Sequence, residues 1–272
     1  MPELPEVETV VRGLRREAVG RRVTTVEILR EDHLLPSAQA LAEGLTGRRL
    51  IEARRLGKIW LLELEDDLTL VGHLRMTGQL RVQPADEPRQ PHTHWIATLD
   101  DGRELRWRDV RRFGWMHLLP SAEAAELPDL TALGPDALAI APAQLAAALG
   151  RTSRALKPLL LDQTVIAGLG NIYVDEILHR CRLHPRKPAN RVSAKRAKEL
   201  HGVMIEVLAA AIEACGSSVK GYVGTDGRPG GYQSAHRVYR RTGQPCPACG
   251  TAIAREIVGS RSTHYCPRCQ RL

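Results

Sequence analysis

Long apolar runs are missing from this chain of 272 residues: 43% of them are apolar, yet no stretch approaches the ~18 consecutive apolar residues of a bilayer span. That sets aside membrane-spanning classes and leads us to expect a soluble protein. The start lacks a basic segment followed by an apolar core and instead carries Glu3, Glu6 and Glu8, which argues against a secretory leader and for the cytoplasm. Internal repeats and low-complexity tracts are absent as well. Phenylalanine occurs once, as Phe113, flanked by Arg112 and Gly114 rather than by apolar neighbours. Cysteine is scarce, with six in all. The length exceeds one typical domain, so two principal domains are expected.

What is present in excess is positive charge. The formal net charge is +8, and from Lys220 to Leu272 nine Lys/Arg face only Asp226 and Glu256. A basic end patch suits a polyanion, because neutralising phosphates releases counterions and gives sequence-independent affinity. On charge alone a solvated basic face remains an alternative.

Val7, Val10, Val11, Leu14 and Ala18 follow Pro5 at helical spacing. Pro5 suits a first helical turn, and Glu6 and Glu8 suit its positive dipole end. From Arg22 to Leu119 the pattern becomes short apolar or β-branched runs: 23–29, 59–64, 68–74, 95–99, 104–107 and 113–119. Asp101-Gly102 marks a hairpin between two of them. This stretch predicts an antiparallel sandwich or flattened barrel. Strand signals stop around 121–135, and helical segments are predicted near 142–149, 153–161, 172–180 and 194–214. Gly216 to Ser234 reads as a long mobile loop.

Cys246, Cys249, Cys266 and Cys269 form two C-x-x-C pairs separated by sixteen residues, the spacing of a four-thiolate zinc site. Disulfides are the alternative, disfavoured in a cytosolic chain. A closed four-thiolate site has no open coordination position, so one structural Zn²⁺ would shape a hairpin rather than activate water. Arg261 lies within that hairpin, where it reads either as a phosphate contact or as a surface arginine. Cys181 and Cys215 read as buried small apolar residues. At the other end, proline at position 2 permits removal of Met1, which would expose a secondary amine beside Glu3. Pro2 and Pro5 as mere punctuation before a helix is the local alternative.

Taken in order, Pro2 to Glu8 (PELPEVE), Lys58 ahead of a strand, His73 to Gly78 (HLRMTG), Asp109 to Gly114 (DVRRFG), Gly168 to Tyr173 (GLGNIY) and the zinc hairpin closely resemble the formamidopyrimidine-DNA glycosylase family. Those bacterial enzymes remove 8-oxoguanine and ring-opened purines. The resemblance runs from end to end. It implies an α+β multidomain fold: an N-terminal helix with an antiparallel β-sandwich over 1–130, a helical domain with a helix-two-turn-helix motif and lesion-capping loop over 131–235, and a four-cysteine zinc finger over 236–272. Duplex DNA containing oxidised purines or abasic sites would lie in the cleft between domains, bound by a monomer.

The resemblance further implies a bifunctional glycosylase and abasic-site lyase. The Pro2 amine would attack C1′, displace the base as a Schiff base forms, and allow β,δ-elimination. A terminal amine of pKa ~8 is neutral far more often than a lysine at ~10.4. Glu3 would be the proton donor, with Glu6 the helix-end carboxylate. Lys58 and Arg261 would assist at the lesion and its phosphate. Extrusion of a base leaves a gap that must be filled, a task the resemblance gives to Met76 and Phe113, with Arg111 bonding the orphaned cytosine. His73, Lys157 and Asn171 would join Arg261 on the DNA backbone, although a helix cap accounts for Asn171 nearly as well. Tyr222, Arg228, Gly230 and Tyr232 would lie in the lesion loop, where Gly230-Gly231-Tyr232 departs modestly from the family's aromatic-bearing pattern. An endonuclease VIII-like enzyme for oxidised pyrimidines, a non-enzymatic damage-binding protein and a zinc-ribbon adaptor are the competing readings. Leu4 and the 111–114 run favour the purine enzyme.

Overall fold

Helix α1 (Leu4–Glu17) begins where the sequence predicts, with proline in its first turn and Arg15 and Arg16 in its last, where the dipole favours cations. Val7, Val10, Val11, Leu14 and Ala18 form its buried stripe, each at most 1% exposed. Burial of such side chains contributes ~1.5–3 kcal/mol apiece for the larger ones. The computed structural model describes residues 1–31, 33–219 and 221–272; Lys220, counted in the basic C-terminal stretch, lies outside them. The chain forms two compact units, Met1–Thr131 with Ile212–Gln233, and Ala132–Ala211 with Ser234–Leu272.

In the N-terminal unit the strands are β1 (Val23–Ile28), β2 (Leu34–Leu35), β3 (Leu50–Leu56), β4 (Ile59–Leu64), β5 (Leu68–His73), β6 (Gly78–Pro84), β7 (Thr93–Leu99), β8 (Arg103–Asp109) and β9 (Trp115–Pro120), with α2 (Ala38–Leu45) between β2 and β3. They form a four-stranded sheet, β1-β7-β8-β6, and a five-stranded sheet, β2-β9-β5-β4-β3. All pairs are antiparallel except the two-residue β2–β9 pair. Trp60, Leu62, Leu70 and Met116 of one sheet share a single apolar core with Leu80, Trp95, Leu105 and Trp107 of the other and with α1. That is the expected sandwich. Asp101-Gly102 forms the β7–β8 turn, with Gly102 at φ 81°.

Patterning missed β2, β3, β6 and α2. In β3 the charges Glu52, Arg54 and Arg55 interrupt the alternation, while β6 starts at a glycine and buries Gln79 and Gln83. Phe113, expected inside a strand, instead precedes β9 in a loop and is 50% exposed.

The second unit holds α3 (Pro142–Gly150), α4 (Leu156–Leu160), α5 (Asn171–Arg180), most of α6 (Ala194–Glu213) and the hairpin β10 (Ala254–Val258) and β11 (Arg261–Tyr265). Helix α4 starts later than predicted because Thr152 and Arg154 give their carbonyls to the amides of Asn190 and Ala189 instead of to a helix. No helix among the described residues is long and apolar enough to cross a membrane.

The expected boundaries at 131–235 and 236–272 differ from this division. The 212–233 stretch belongs with the sandwich, and the cysteine hairpin belongs with the helices.

Candidate functional site

Pro2 is buried at the head of α1, and Glu3, its N-cap, is 3% exposed. The Glu3 amide donates to Glu6 Oε2 (2.8 Å), while Glu6 Oε1 accepts from the Ser217 amide (2.7 Å). Tyr222 donates its hydroxyl to the Glu6 carbonyl (3.1 Å). One Glu6 carboxylate thus bonds the backbone of Glu3 and the start of the 216–233 loop.

That loop is held at several further points. Gln79 donates to the Gly221 carbonyl (2.7 Å) and the Val82 amide donates to Thr225 (3.0 Å), so the loop covers the free edge of β6. These bonds tie the stretch expected to be a mobile loop to β6 and α1. All four candidate residues of the lesion loop lie in this stretch, and three of them are buried. Tyr222 (7% exposed) joins the apolar core, and burial pushes its hydroxyl pKa up, keeping it a neutral donor. Tyr232 is 3% exposed. Gly230 is buried, and a Cβ there would come within 2.4 Å of the Gly216 and Cys215 carbonyl oxygens. Arg228 alone of the four is exposed.

Lys58 sits in the β3–β4 turn, 7% exposed. Arg55 braces this turn, bonding Glu8 on α1 (2.9 Å) and the Gly57 carbonyl (2.8 Å), and with Arg12 it holds the partly buried Glu8 carboxyl below its ordinary value. His73 pairs across the sheet with Ile59, next to Lys58. Its Nδ1 accepts from the Arg75 amide (2.8 Å), which leaves Nε2 to carry the proton of a neutral ring. Burial, then the Arg75 and Lys58 cations, push its pKa down to about 3. Neutral His73 thus suits a hydrogen bond to phosphate rather than an ion pair. Because the unfolded chain binds this proton more readily, His73 supports the fold above pH ~6.5, and that support fades as pH falls toward 3, by up to about 1.4 kcal/mol per unit. Urea unfolding at pH 7 and pH 5, followed by the four tryptophans, all in the N-terminal unit, should show this loss, and His73→Gln should remove most of it.

Met76, Arg111 and Phe113 are brought together. The Arg111 guanidinium lies 4.7 Å from the Phe113 ring centroid, and its Nη1 is 3.0 Å from Met76 Sδ. Asp109, 1% exposed, organises both loops that carry them: it accepts from the Thr77 hydroxyl, the Arg111 amide (3.2 Å) and the Gly114 amide (2.7 Å). Arg75 and Arg112 adopt left-handed φ values of 50° and 54°, a strained conformation for such residues that fixes sharp loop tips. Gly78 and Gly114 are required beneath, since a Cβ on either would meet Trp107 within 2.6 Å. Asp109 opens the DVRRFG motif, yet nothing in the sequence distinguishes it as the organiser.

In the second unit Lys157 is 0% exposed, its Nζ bonded to Asp175 (2.6 Å) and to the Ser262 carbonyl (2.9 Å). The expected direct backbone contact by Lys157 is corrected, because an ammonium enclosed by a carboxylate and a carbonyl is not presented to a phosphate. Asn171 is the first residue of α5, with Gly170 as N-cap, and its Nδ2 also donates to the Ser262 carbonyl (2.9 Å). The plain-cap reading is thereby corrected as well. Both side chains fix the residue next to Arg261, which is exposed at the hairpin tip. Gly259 and Ser260 have φ of 57° and 60°, the paired positive values of a two-residue type I′ turn.

Helix α5, predicted near 172–180, also anchors the rest of the second unit, a role that patterning did not reveal. Asp175 accepts from the amide and Nδ1 of His264 (2.9 and 3.0 Å). Glu176 accepts the amides of Arg237, Val238 and Tyr239 (2.8, 2.9 and 2.9 Å). His179 Nε2 lies 3.3 Å from Cys246 Sγ. Asp175 and Glu176 are both 0% exposed; their place between the apolar runs 172–174 and 177–178 was the available signal.

The four expected ligands Cys246, Cys249, Cys266 and Cys269 converge with all sulfurs within 4.8 Å of one another. Cys249–Cys266 and Cys246–Cys269 are 3.5 and 3.9 Å apart. Tetrahedral Zn–S bonds of ~2.3 Å place sulfurs ~3.8 Å apart, whereas a disulfide requires ~2.05 Å. The donors fit one zinc ion, and His179 supplies the outer hydrogen bond that orients a thiolate. Cys181 is buried, its thiol pushed up to about 12 by burial; Cys215, expected buried, is exposed beyond the end of α6.

Three family models match the chain in order: the formamidopyrimidine-DNA glycosylase N-terminal domain over residues 1–116, the formamidopyrimidine-DNA glycosylase H2TH domain over 132–222, and a zinc finger found in FPG and IleRS over 243–272. The chain is 45% identical to the formamidopyrimidine-DNA glycosylase of Geobacillus kaustophilus, with 100% of both covered, and 45% identical to that of Bacillus subtilis, with 99% of both covered. Lactococcus lactis Fpg (MutM), solved in a complex with DNA containing N7-benzyl-Fapy-dG, is similar with a TM-score of 0.92 at 36% identity over 100% of both chains. A complex of Lactococcus lactis Fpg with DNA containing an abasic site gives 0.92 at 35% identity, covering 99% of this chain and 100% of that one.

Proposed function

Because the chain belongs to the formamidopyrimidine-DNA glycosylase family, we propose that it excises oxidised purines, 8-oxoguanine and formamidopyrimidines, from duplex DNA and then cleaves the backbone at the abasic site. The observation that carries the chemistry is the head of α1, where Pro2 is buried beside a Glu3 whose backbone is fixed by Glu6. With Met1 removed, the Pro2 nitrogen lone pair forms a bond to C1′ as the glycosidic bond breaks and its electron pair leaves with the base. Glu3 delivers the proton that the base or the ring oxygen needs. Pro2 then gives up its N–H proton and the C1′–O4′ bond opens, its electron pair leaving on the protonated ring oxygen; the iminium so formed acidifies C2′–H, loss of that proton expels the 3′ phosphate, and a second elimination expels the 5′ phosphate. Water then hydrolyses the iminium and frees Pro2.

Lys58 and neutral His73 supply donors to the phosphates nearest the lesion, and Arg261, held by Ser262, supplies another. Met76 and Phe113 fill the gap left by the extruded nucleotide, with Arg111 stacked on Phe113 and ready to bond the orphaned base. Asn171 contributes through the helix start and through Ser262. Zinc held by the four cysteines supplies a fixed hairpin and takes no part in bond breaking. The protein works as a monomer on bacterial DNA in the cytoplasm.

The test is borohydride trapping on duplex DNA carrying 8-oxoguanine opposite cytosine, with the attachment point read by mass spectrometry. An adduct at Pro2 is expected. Tight lesion binding without an adduct, in protein shown to have lost Met1, would replace this reading with non-enzymatic damage binding.

A further inference from the structure

The basic C-terminal stretch is not where positive charge is densest along the chain. From Arg180 to Lys198 the chain carries eight Lys/Arg and no Asp or Glu. Five cations, Arg182, Lys187, Arg191, Arg196 and Arg271, line one cavity of about 250 Å³ together with Ser193. Arg196 is paired with Glu199. Among the described residues Arg182, Lys187, Arg191 and Arg271 have no carboxylate partner. A folded surface ordinarily intersperses the two signs of charge; here like charges converge on a hollow.

The fold assembles this cluster by specific bonds. Arg182 ends α5 in a left-handed conformation, φ 52°, with its own amide on the His179 carbonyl (3.0 Å) and the Leu183 amide on Leu178 (2.9 Å). That is a Schellman ending, a position at which glycine avoids a penalty of ~1–2 kcal/mol. A single cation would complement the helix dipole; four more are gathered around it. Gln270, 0% exposed, donates to the Leu183 carbonyl (2.9 Å) and accepts from the Cys266 amide (2.8 Å), which brings Arg271 to the same place. Arg191 arrives through the 188–190 segment bonded to 152–155.

We propose that this cavity is a second phosphate-binding site, separate from the groups that serve the lesion. Asn171 begins α5 and Arg182 follows its end, and ten helical residues rise ~15 Å, so the same phosphate does not reach both. The ligand is a phosphate group with more than one negative charge or a run of phosphodiesters. Its source is either a nucleic-acid backbone beyond the lesion or a free polyphosphate.

The experiment compares Lys187→Gln/Arg191→Gln with Lys195→Gln/Lys198→Gln, a pair that removes equal charge from the same segment outside the cavity. Inorganic pyrophosphate is titrated into the zinc-loaded full chain by calorimetry, and affinity for an undamaged duplex is measured against salt concentration. A roughly tenfold weaker pyrophosphate affinity, or a salt slope shallower by roughly 0.9 for each phosphate no longer neutralised, is expected in the first pair and not in the second. A changed duplex slope identifies the backbone as the source; a changed pyrophosphate affinity alone identifies the free anion. If the two pairs behave alike with both probes, the site does not exist. Trapping at Pro2 under saturating DNA should be unaffected by either pair, so a failure here is distinct from a failure of the lyase reading.

Discussion

Glu3→Gln is expected to slow excision of 8-oxoguanine by ~10²–10⁴-fold in single-turnover assays at saturating DNA, the range for loss of a general acid. Glutamine keeps the size of the side chain, and the Glu3 amide would still donate to Glu6, so the helix start and the position of Pro2 should survive. What disappears is a carboxyl proton for the leaving base or ring oxygen. A pre-formed abasic site has no base to expel, so iminium formation there, trapped by borohydride, should fall much less. Unequal loss on the two substrates is thus the signature of an acid. Equal loss would mean that residue 3 acts by holding Pro2, and an undiminished excision rate would remove it from the chemistry altogether.

Asp175→Ala should destabilise the second unit by about 3–5 kcal/mol, the scale for leaving a buried charge without its partner. Lys157 is 0% exposed and its ammonium faces Asp175, which also accepts both the amide and Nδ1 of His264. Urea unfolding would be followed by far-ultraviolet circular dichroism, since that unit contains no tryptophan. Zinc release during the same titration should shift with it, because α5 holds the cysteine hairpin. Coupling Asp175→Ala with Lys157→Met should recover most of the loss by removing the stranded charge. A change under 1 kcal/mol in the single variant, or no recovery in the double one, would show that the pair does not hold the hairpin.

Much of this protein is written locally. The apolar stripe of α1 has a period that only a helix satisfies, the Asp101-Gly102 turn and the flanking alternation specify a hairpin, and two C-x-x-C pairs specify a four-sulfur site because ligand spacing is a property of the chain itself. Pro2 and Glu3 stand out because a terminal amine exists at one place only. Chain order likewise places Met76, Arg111 and Phe113 in motifs that can be compared one at a time.

The remainder depended on partners far away in sequence. Strand β3 hides behind charges that are satisfied by Glu63 and Arg15 on other elements. Tyr222 and Tyr232 look like surface aromatics of a loop until Glu6, Gln79 and Val82 bind that loop down and turn them inward. Lys157 looks like a phosphate ligand until Asp175, on a neighbouring helix, encloses it. The cations between 180 and 198 look like a dispersed basic stretch until the end of α5 and Gln270 bring Arg182 and Arg271 around one hollow. Sequence determined which groups exist and the local geometry of each; burial and long-range pairing, which depend on the whole packed chain, decided which of them face solvent with charge to spare.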